Sequence, residues 1–483
     1  MPNQFISDII TEEEIAKWKL GDRILITSQT GSGKSQWVKD ILYEYCVQNN
    51  KKILLLSNRV ALKGQNEKEL SGVKEEVIKI KNYQTLESSV LYGNQLDDLF
   101  SNFDYIVLDE IHYLLSDSAF NGNTDILLNC VKFPQKNKIF IFITATPQAI
   151  LLYNKNYEHK YALEQDYSFI EKVYFYNKDE MVNAIITNIP SSEKILYFGN
   201  ALDSLTFSLD IPDSSFICSD NNREFKKRSS RSTMDEVVET NEFSNRALFS
   251  TKVLDNGVNI ISPNLKHIII DMSDPVDLIQ CLGRKRIAPD EKIFLYIKNQ
   301  NRRDIYSRLQ MARKRLAIWR EFNDLKKDKF QKKYAREQID NVIMNDGEIN
   351  WAKVFHAKYL DYIYSKIIQP KDGSGYRKIV CGVLGIDIKT TLFAEEYFEK
   401  KNLTDILESY VDRRLYKNEQ EEFRNMFFEN IFSIRKNINI RHRGVKSIGS
   451  IMEEDNLPFT IDSRQAMERG EFRGKTYWTL KKI

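Results

Sequence analysis

Residues 24–35 read Ile-Leu-Ile-Thr-Ser-Gln-Thr-Gly-Ser-Gly-Lys-Ser. An apolar run enters a glycine loop, and Lys34-Ser35 leads straight into a helical pattern. A strand, such a loop and a helix N-terminus together make a cradle for phosphate. Gly31 and Gly33 let the loop Thr30-Gly31-Ser32-Gly33 turn its N–H groups toward one point. The helix dipole adds positive potential there. Lys34 supplies a point charge for β- and γ-phosphates, and the Ser35 hydroxyl suits Mg²⁺. Ser28 stands where the general pattern has its first glycine.

Further residues fit the same chemistry. Asp104–His112 reads as a buried strand ending in two carboxylates. Asp109 is expected to hold Mg²⁺ through water, opposite Ser35, and Glu110 to orient or deprotonate an attacking water. The run Ile141–Thr144 ends in Thr144-Ala145-Thr146-Pro147, two hydroxyls at a strand end. Ser57-Asn58-Arg59 and Asn82-Tyr83-Gln84-Thr85 end two other strands in short polar groups suited to phosphate oxygens. Turn chemistry explains these two almost as well. Gln280, Arg284 and Arg286 form a helix-borne Gln followed by two close arginines, which can stabilise charge on a γ-phosphate held by another domain.

These groups need a frame that gathers strand ends. Between residues 23 and about 175, β-type runs alternate with helical patterns; the runs are 23–27, 52–57, 77–81, 105–109, 138–144 and 172–176. Alternation of this kind predicts a doubly wound parallel sheet, which binds ligands at its carboxyl edge. A second alternating block runs from about 178 to 300, with runs 194–198, 215–218, 247–250, 266–271 and 292–297, and it has no glycine loop of its own. Its edges carry Gly199-Asn200 and Thr251-Lys252-Val253-Leu254-Asp255-Asn256-Gly257.

Length and composition agree with this frame. The 483 residues are 42% hydrophobic and 29% charged, which predicts a globular chain of several domains. No unbroken apolar stretch approaches a membrane span, so no membrane association is expected. The acidic start Met1–Glu14 lacks a signal-peptide core. Five scattered cysteines without a CxxC pair suggest a reducing, cytoplasmic setting, and the five histidines make no zinc-type pair. Net charge is only +3, yet residues 313–336 carry +7 and residues 435–483 carry +5. Local basic surfaces on an acidic body suggest a polyanionic partner, although solvated helix faces look the same.

The order of the motifs then resembles that of the superfamily 2 helicases, over roughly residues 20–300. Residues 28–35, 57–65, 82–86, 109–112, 144–147, 195–200, 250–259 and 280–286 look like that family's motifs I, Ia, Ib, II, III, IV, V and VI. Motif II reads DEIH, a DEAH-type box. The resemblance implies two RecA-like lobes with ATP and Mg²⁺ in the cleft and nucleic acid across both. Carried over residue by residue, it implies that Lys34 and Ser35 bind phosphate and metal, Asp109 holds the metal and Glu110 activates water. It further implies that His112, Thr144 and Thr146 couple hydrolysis to lobe movement. Asp255 and Gly257 link nucleotide to nucleic acid, and Gln280, Arg284 and Arg286 close on the γ-phosphate. Asn58, Arg59, Thr85, Asn200 and Thr251 are the implied strand contacts.

The last motif is QxxGRxR, one residue shorter than the common form, so either arginine is a candidate for the γ-phosphate. That short form is similar to the one in viral origin-binding helicases and favours DNA, as a single strand or fork, over RNA. No adenine-reading PTxxQ element precedes the glycine loop.

Beyond residue 300 no motif is recognised. Residues 302–337 read as helix with an apolar stripe at Ile305, Leu309, Ala312, Leu316 and Trp319, which predicts intramolecular packing or, through 301–337, a protein partner. Helices are expected at 404–416, at 419–431 and near 447–454. A Gly/Arg turn between two β-type runs near the C-terminus predicts a small winged-type end, with Arg473 and Lys475 on phosphates. Tyr477 and Trp478 are expected either to stack on a base or to fill a small core.

The expected organisation is a first lobe at 1–177, a second at 178–300, a helical accessory region at 301–434 and a basic element at 435–483. The expected function is ATP-driven movement along nucleic acid. A DEAH-type RNA helicase and an ATPase switch that clamps without unwinding are the alternatives.

Overall fold

The structure is a computed structural model describing residues 5–57, 74–119, 121–220, 222–255, 258–334, 349–434, 443–467 and 471–483. The chain divides into two compact units, 1–391 and 392–483.

In the larger unit a first sheet contains β1 (Arg23–Thr27), β2 (Ile53–Ser57), β3 (Ile78–Asn82), β4 (Tyr105–Asp109), β5 (Ile139–Thr144) and β6 (His159–Ala162). Their order is β3-β2-β4-β5-β1-β6, and the pairings are parallel. β2, β4 and β5 are buried at every position, which is why they read as unbroken apolar runs rather than alternating ones. The parallel register brings Thr27 level with Thr144 and Asp109 level with Ile143. The polar strand ends therefore share one edge, as a doubly wound sheet requires.

A second parallel sheet contains β7 (Ile170–Tyr176), β8 (Lys194–Phe198), β9 (Ser214–Ile217), β10 (Ala247–Ser250), β11 (Leu265–Ile270) and β12 (Ile293–Lys298), ordered β7-β12-β11-β8-β10-β9. Each sheet is the parallel frame of one lobe, and the two follow one another along the chain. One strand is reassigned: the run at 172–176, expected to close the first sheet, pairs with β12 in the second. The first sheet instead gains β6, beside β1.

The helices that matter to the site are α1 (Lys34–Trp37), α2 (Tyr83–Leu91), α3 (Asp125–Lys132), α4 (Gln148–Tyr153), α5 (Ala201–Asp210), α6 (Pro275–Leu282), α7 (Arg302–Asp324) and α8 (Trp351–Ile368). The α7 stripe is buried at Ile305, Leu309, Ala312 and Leu316, and α7 packs along α8. That packing answers the stripe within the chain and leaves those residues unavailable as a seam for a protein partner.

The smaller unit holds α9 (Ala394–Glu408), α10 (Lys417–Ile434), α11 (Val445–Glu454) and an antiparallel ribbon of β13 (Phe459–Gln465) and β14 (Thr476–Lys482). Its first helix starts ten residues before the expected 404. Leu407, Leu415, Phe423, Phe427, Ile448, Phe459, Trp478 and Leu480 share its core. Trp478 is thus a core residue, and the base-stacking alternative for it is discarded. Among the described residues, no helix is long and apolar enough to cross a membrane.

Candidate active site

The glycine loop follows β1 directly. Gly31 and Gly33 have φ of 92° and 80°, a region in which a Cβ is costly, and Gly33 caps α1. Ser32 Oγ lies 2.8 Å from Ser28 Oγ and 2.8 Å from Gln29 O, so its single proton serves one of them. The departure from glycine at Ser28 therefore adds a hydroxyl that braces the loop from within. Lys34 Nζ donates to Ser28 O and Gln29 O at 3.1 Å and lies 3.9 Å from Glu110 Oε1. Ser35 Oγ stands 3.5 Å from Asp109 Oδ2.

A hydroxyl and a carboxylate oxygen at this spacing are hard donors of the kind Mg²⁺ takes, with waters and phosphate oxygens completing its shell. Among the described residues no group of three or more His, Cys, Asp or Glu could hold a metal ion. A metal shared with a phosphorylated substrate fits that donor set.

Glu110 has φ of 53°, an uncommon conformation for a residue with a side chain, and such strain clusters at functional positions. From it a polar chain runs across the lobes. His112 Nδ1 lies 3.4 Å from Glu110 Oε2 and 3.3 Å from Thr144 Oγ1. The Thr146 N–H donates to Thr144 Oγ1 at 3.0 Å, and Gln280 Nε2, from the second lobe, donates to Thr146 Oγ1 at 3.3 Å. Arg284 Nη2 is 3.4 Å from Gln280 Oε1. The two hydroxyls expected at the strand end are thus joined to the carboxylate pair on one side and to the distal Gln on the other.

The lobes also touch at the phosphate loop. A Cβ placed on Gly283 would come within 2.6 Å of Thr30 Oγ1, and one on Gly31 within 3.4 Å of Arg286 Nη1. Glycine at 283 is therefore a requirement of close approach. Residues 284–286 are extended, since Lys285 forms a parallel bridge with Ile260, flanked by Ile260 N–H to Arg284 O and Arg286 N–H to Ile260 O, each at 2.8 Å. Side chains alternate on such a segment. Lys285 turns into the second lobe, where its Nζ sits 2.6 Å from Glu291 Oε1 and donates to Ser262 O at 3.0 Å.

The remaining sequence-expected residues fall as follows. Thr85 is exposed on the first turn of α2. Asn200 caps α5, accepting from Asp203 N–H at 2.9 Å. Thr251 is half-buried and its N–H donates to Ile217 O at 3.2 Å. Asp255 ends a short 3-10 turn, Lys252–Asp255. Asn58, Arg59, Gly257 and the Asp255 side chain lie outside the described residues.

A model of the DEAD/DEAH box helicase family matches residues 9–151. Solved structures of similar fold include S. cerevisiae Dbp5 bound to RNA and ADP BeF3, at 14% identity, 59% of this chain, 82% of that chain and TM-score 0.43. Escherichia coli DEAH/RHA helicase HrpB is 14% identical over 61% of this chain and 42% of its own, with TM-score 0.40. DUF1998 helicase MrfA, bound to DNA and AMPPNP, is 17% identical over 61% of this chain and 48% of its own, with TM-score 0.42. No curated protein matches the chain.

Several contacts of the first lobe had no sequence signal. Phe5 lies against the phosphate loop, 3.4 Å from where a Gly33 Cβ would stand. The linker between lobes is tied to the same loop, with Asp166 N–H donating to Gln29 Oε1 at 2.6 Å. Tyr83 OH donates to Asp109 O at 2.7 Å, fixing the strand end beneath the carboxylates.

Helix α8 is held by both lobes. At its start, Asn350 Nδ2 donates to Gly122 O at 2.7 Å, and Ala352 N–H donates to Asp125 Oδ1, in the first lobe, at 3.0 Å. Further along, Tyr359 OH donates at 2.7 Å to Asp274 Oδ1 of the second lobe. Asp274 precedes Pro275 and caps α6, the helix that carries Gln280.

Burial pushes the Asp125 carboxyl up to about 6; burial, then the Asp277 charge, does the same to Asp274. A raised carboxyl opposes folding once ionised, so stability is expected to fall as pH rises from about 4 to about 6, by at most about 3 kcal/mol per group. Asp125→Asn keeps an acceptor for Ala352, and its urea midpoint is expected to fall less over that interval than the parent's. Parallel midpoint curves would remove Asp125 as a contributor.

Proposed function

We propose that this chain is an ATP-dependent helicase or translocase that moves along nucleic acid, DNA in preference to RNA. The observation that carries the reading is the seam contact, where Thr30 and Gly31 of the phosphate loop meet Gly283 and Arg286 of the second lobe. A nucleoside triphosphate at the loop would have a cation from each lobe at its terminal phosphate. Lys34 is assigned to the β- and γ-phosphates, and Ser35 with Asp109 to Mg²⁺, which when bound neutralises charge developing on the phosphates. Glu110 orients and deprotonates the attacking water. The polar chain from Glu110 to Gln280 supports a coupling role for His112, Thr144 and Thr146, because rearrangement at either end disturbs bonds at the other.

The DNA preference rests on the short QxxGRxR. Five cysteines, all buried free thiols, support a cytoplasmic setting. A second reading, an ATPase that clamps nucleic acid without separating strands, is favoured by α8 docked on both lobes.

ATP turnover measured side by side with single-stranded DNA, duplex DNA, forked DNA and RNA tests the proposal. Forked or single-stranded DNA is expected to stimulate most. Stimulation by RNA alone would overturn the DNA reading, and stimulation by duplex without strand separation would favour the clamp. Removing residues 435–483 is expected to weaken binding and to flatten its dependence on salt concentration. An unaltered slope would show that Arg473 and Lys475 do not contact phosphates.

A further inference from the structure

The smaller unit carries a patch in which aromatic rings and cations alternate at the surface. Phe472, beside the ribbon's turn, is 42% exposed. Its ring stacks on Tyr416, with centroids 4.2 Å apart and planes at 27°. Tyr477, half-buried on β14, has its ring centroid 5.7 Å from that of Tyr416, with the planes tilted by 48°. Cations flank the rings: Lys475 Nζ is 4.9 Å from the Phe472 centroid, and the Arg414 guanidinium is 5.2 Å from that of Tyr477. Arg473 is exposed between them in sequence. Trp478, one residue from Tyr477, points the other way into the core, and its N–H and C=O pair with Leu415 at 2.9 Å. That pairing holds the segment bearing Arg414 and Tyr416 against β14.

We infer that Phe472, Tyr416 and Tyr477 form a stacking platform for the unpaired bases of a single nucleic-acid strand, with Arg414, Arg473 and Lys475 on its phosphates. This deepens the proposed function and rests on it. A flat ring surface favours bases because every base offers a π-face, and it favours single strands because paired bases are already stacked. The net +5 of residues 435–483 suits a phosphate chain and opposes a basic partner. An acidic peptide would use the cations but would not account for the exposed ring cluster among them.

The test uses the full chain and fluorescence anisotropy with a labelled oligothymidylate and an abasic strand of the same length. Phe472→Leu keeps apolar cover over Tyr416 but removes the π-face, so it separates stacking from folding. It is expected to weaken oligothymidylate binding by roughly 5- to 100-fold, as loss of one stacked base does, and to leave abasic binding unchanged. Phe472→Trp is expected to restore binding. Equal binding of oligothymidylate by the parent and Phe472→Leu overturns the platform while leaving the motor reading intact. A parent that binds no DNA or RNA at low salt overturns both. Should Phe472→Leu change only the sedimentation coefficient, the patch is a contact between copies of the chain and the platform is overturned.

Discussion

Arg286→Ala is expected to lower ATP turnover by about three orders of magnitude or more, the scale of a lost arginine finger, and Arg284→Ala by less. The two arginines have equal claims in the sequence. They separate in the structure because residues 284–286 run extended, so that both face away from buried Lys285 but end on different partners. Arg286 reaches the phosphate loop beside Gly31, whereas Arg284 reaches Gln280 within its own lobe. The first position can meet charge developing on a γ-phosphate. The second holds the Gln that bonds to Thr146, so its loss is expected to blunt stimulation by nucleic acid more than basal turnover. Steady-state phosphate release, with and without DNA, measures both effects. A near-normal rate in Arg286→Ala would move the finger to Arg284.

Glu110→Gln is expected to retain nucleotide binding within a few-fold while cutting hydrolysis by about 10²- to 10⁴-fold, the usual worth of a positioned general base. The change is nearly isosteric and keeps a side chain that fits the strained backbone at φ 53°. It removes the group that can take a proton from water. It also alters the first link toward His112, so DNA should no longer accelerate the residual rate. Binding of a fluorescent ATP analogue separates the two roles. If Glu110→Gln instead loses the nucleotide, the carboxylate serves the loop's architecture through Lys34, 3.9 Å away.

Much of the first lobe was legible because local and global demands coincide there. Buried parallel strands need unbroken apolar runs, and Ile53–Ser57, Tyr105–Asp109 and Ile139–Thr144 supply them with polar residues at one end only. Sheet membership is a different matter. The run at 172–176 has the same pattern whichever sheet it joins, and only its pairing with β12 decides. The fate of Lys285 was equally hidden, since its counter-ion Glu291 lies past a turn and looks like any surface carboxylate. Trp478 illustrates the reverse limit. It sits among basic residues that suggest a nucleic-acid surface, yet strand alternation sends it inward and leaves Phe472, outside the strand, on show.

Helix α8 has a mechanical implication. Its anchors at Asn350 and Tyr359 are nine residues, roughly 13 Å, apart along a nearly inextensible rod. Two bodies pinned to one rod cannot swing apart like a hinged book while both pins hold; they can only roll about it or let go. The N-terminal pin combines a pair of hydrogen bonds, each worth about 1 kcal/mol net, with packing of α8 on α3 and α4 of the first lobe, where the Tyr153 and Phe355 rings meet edge-on with centroids 4.7 Å apart. Any wide opening of the seam between the lobes must therefore release one of the two pins first.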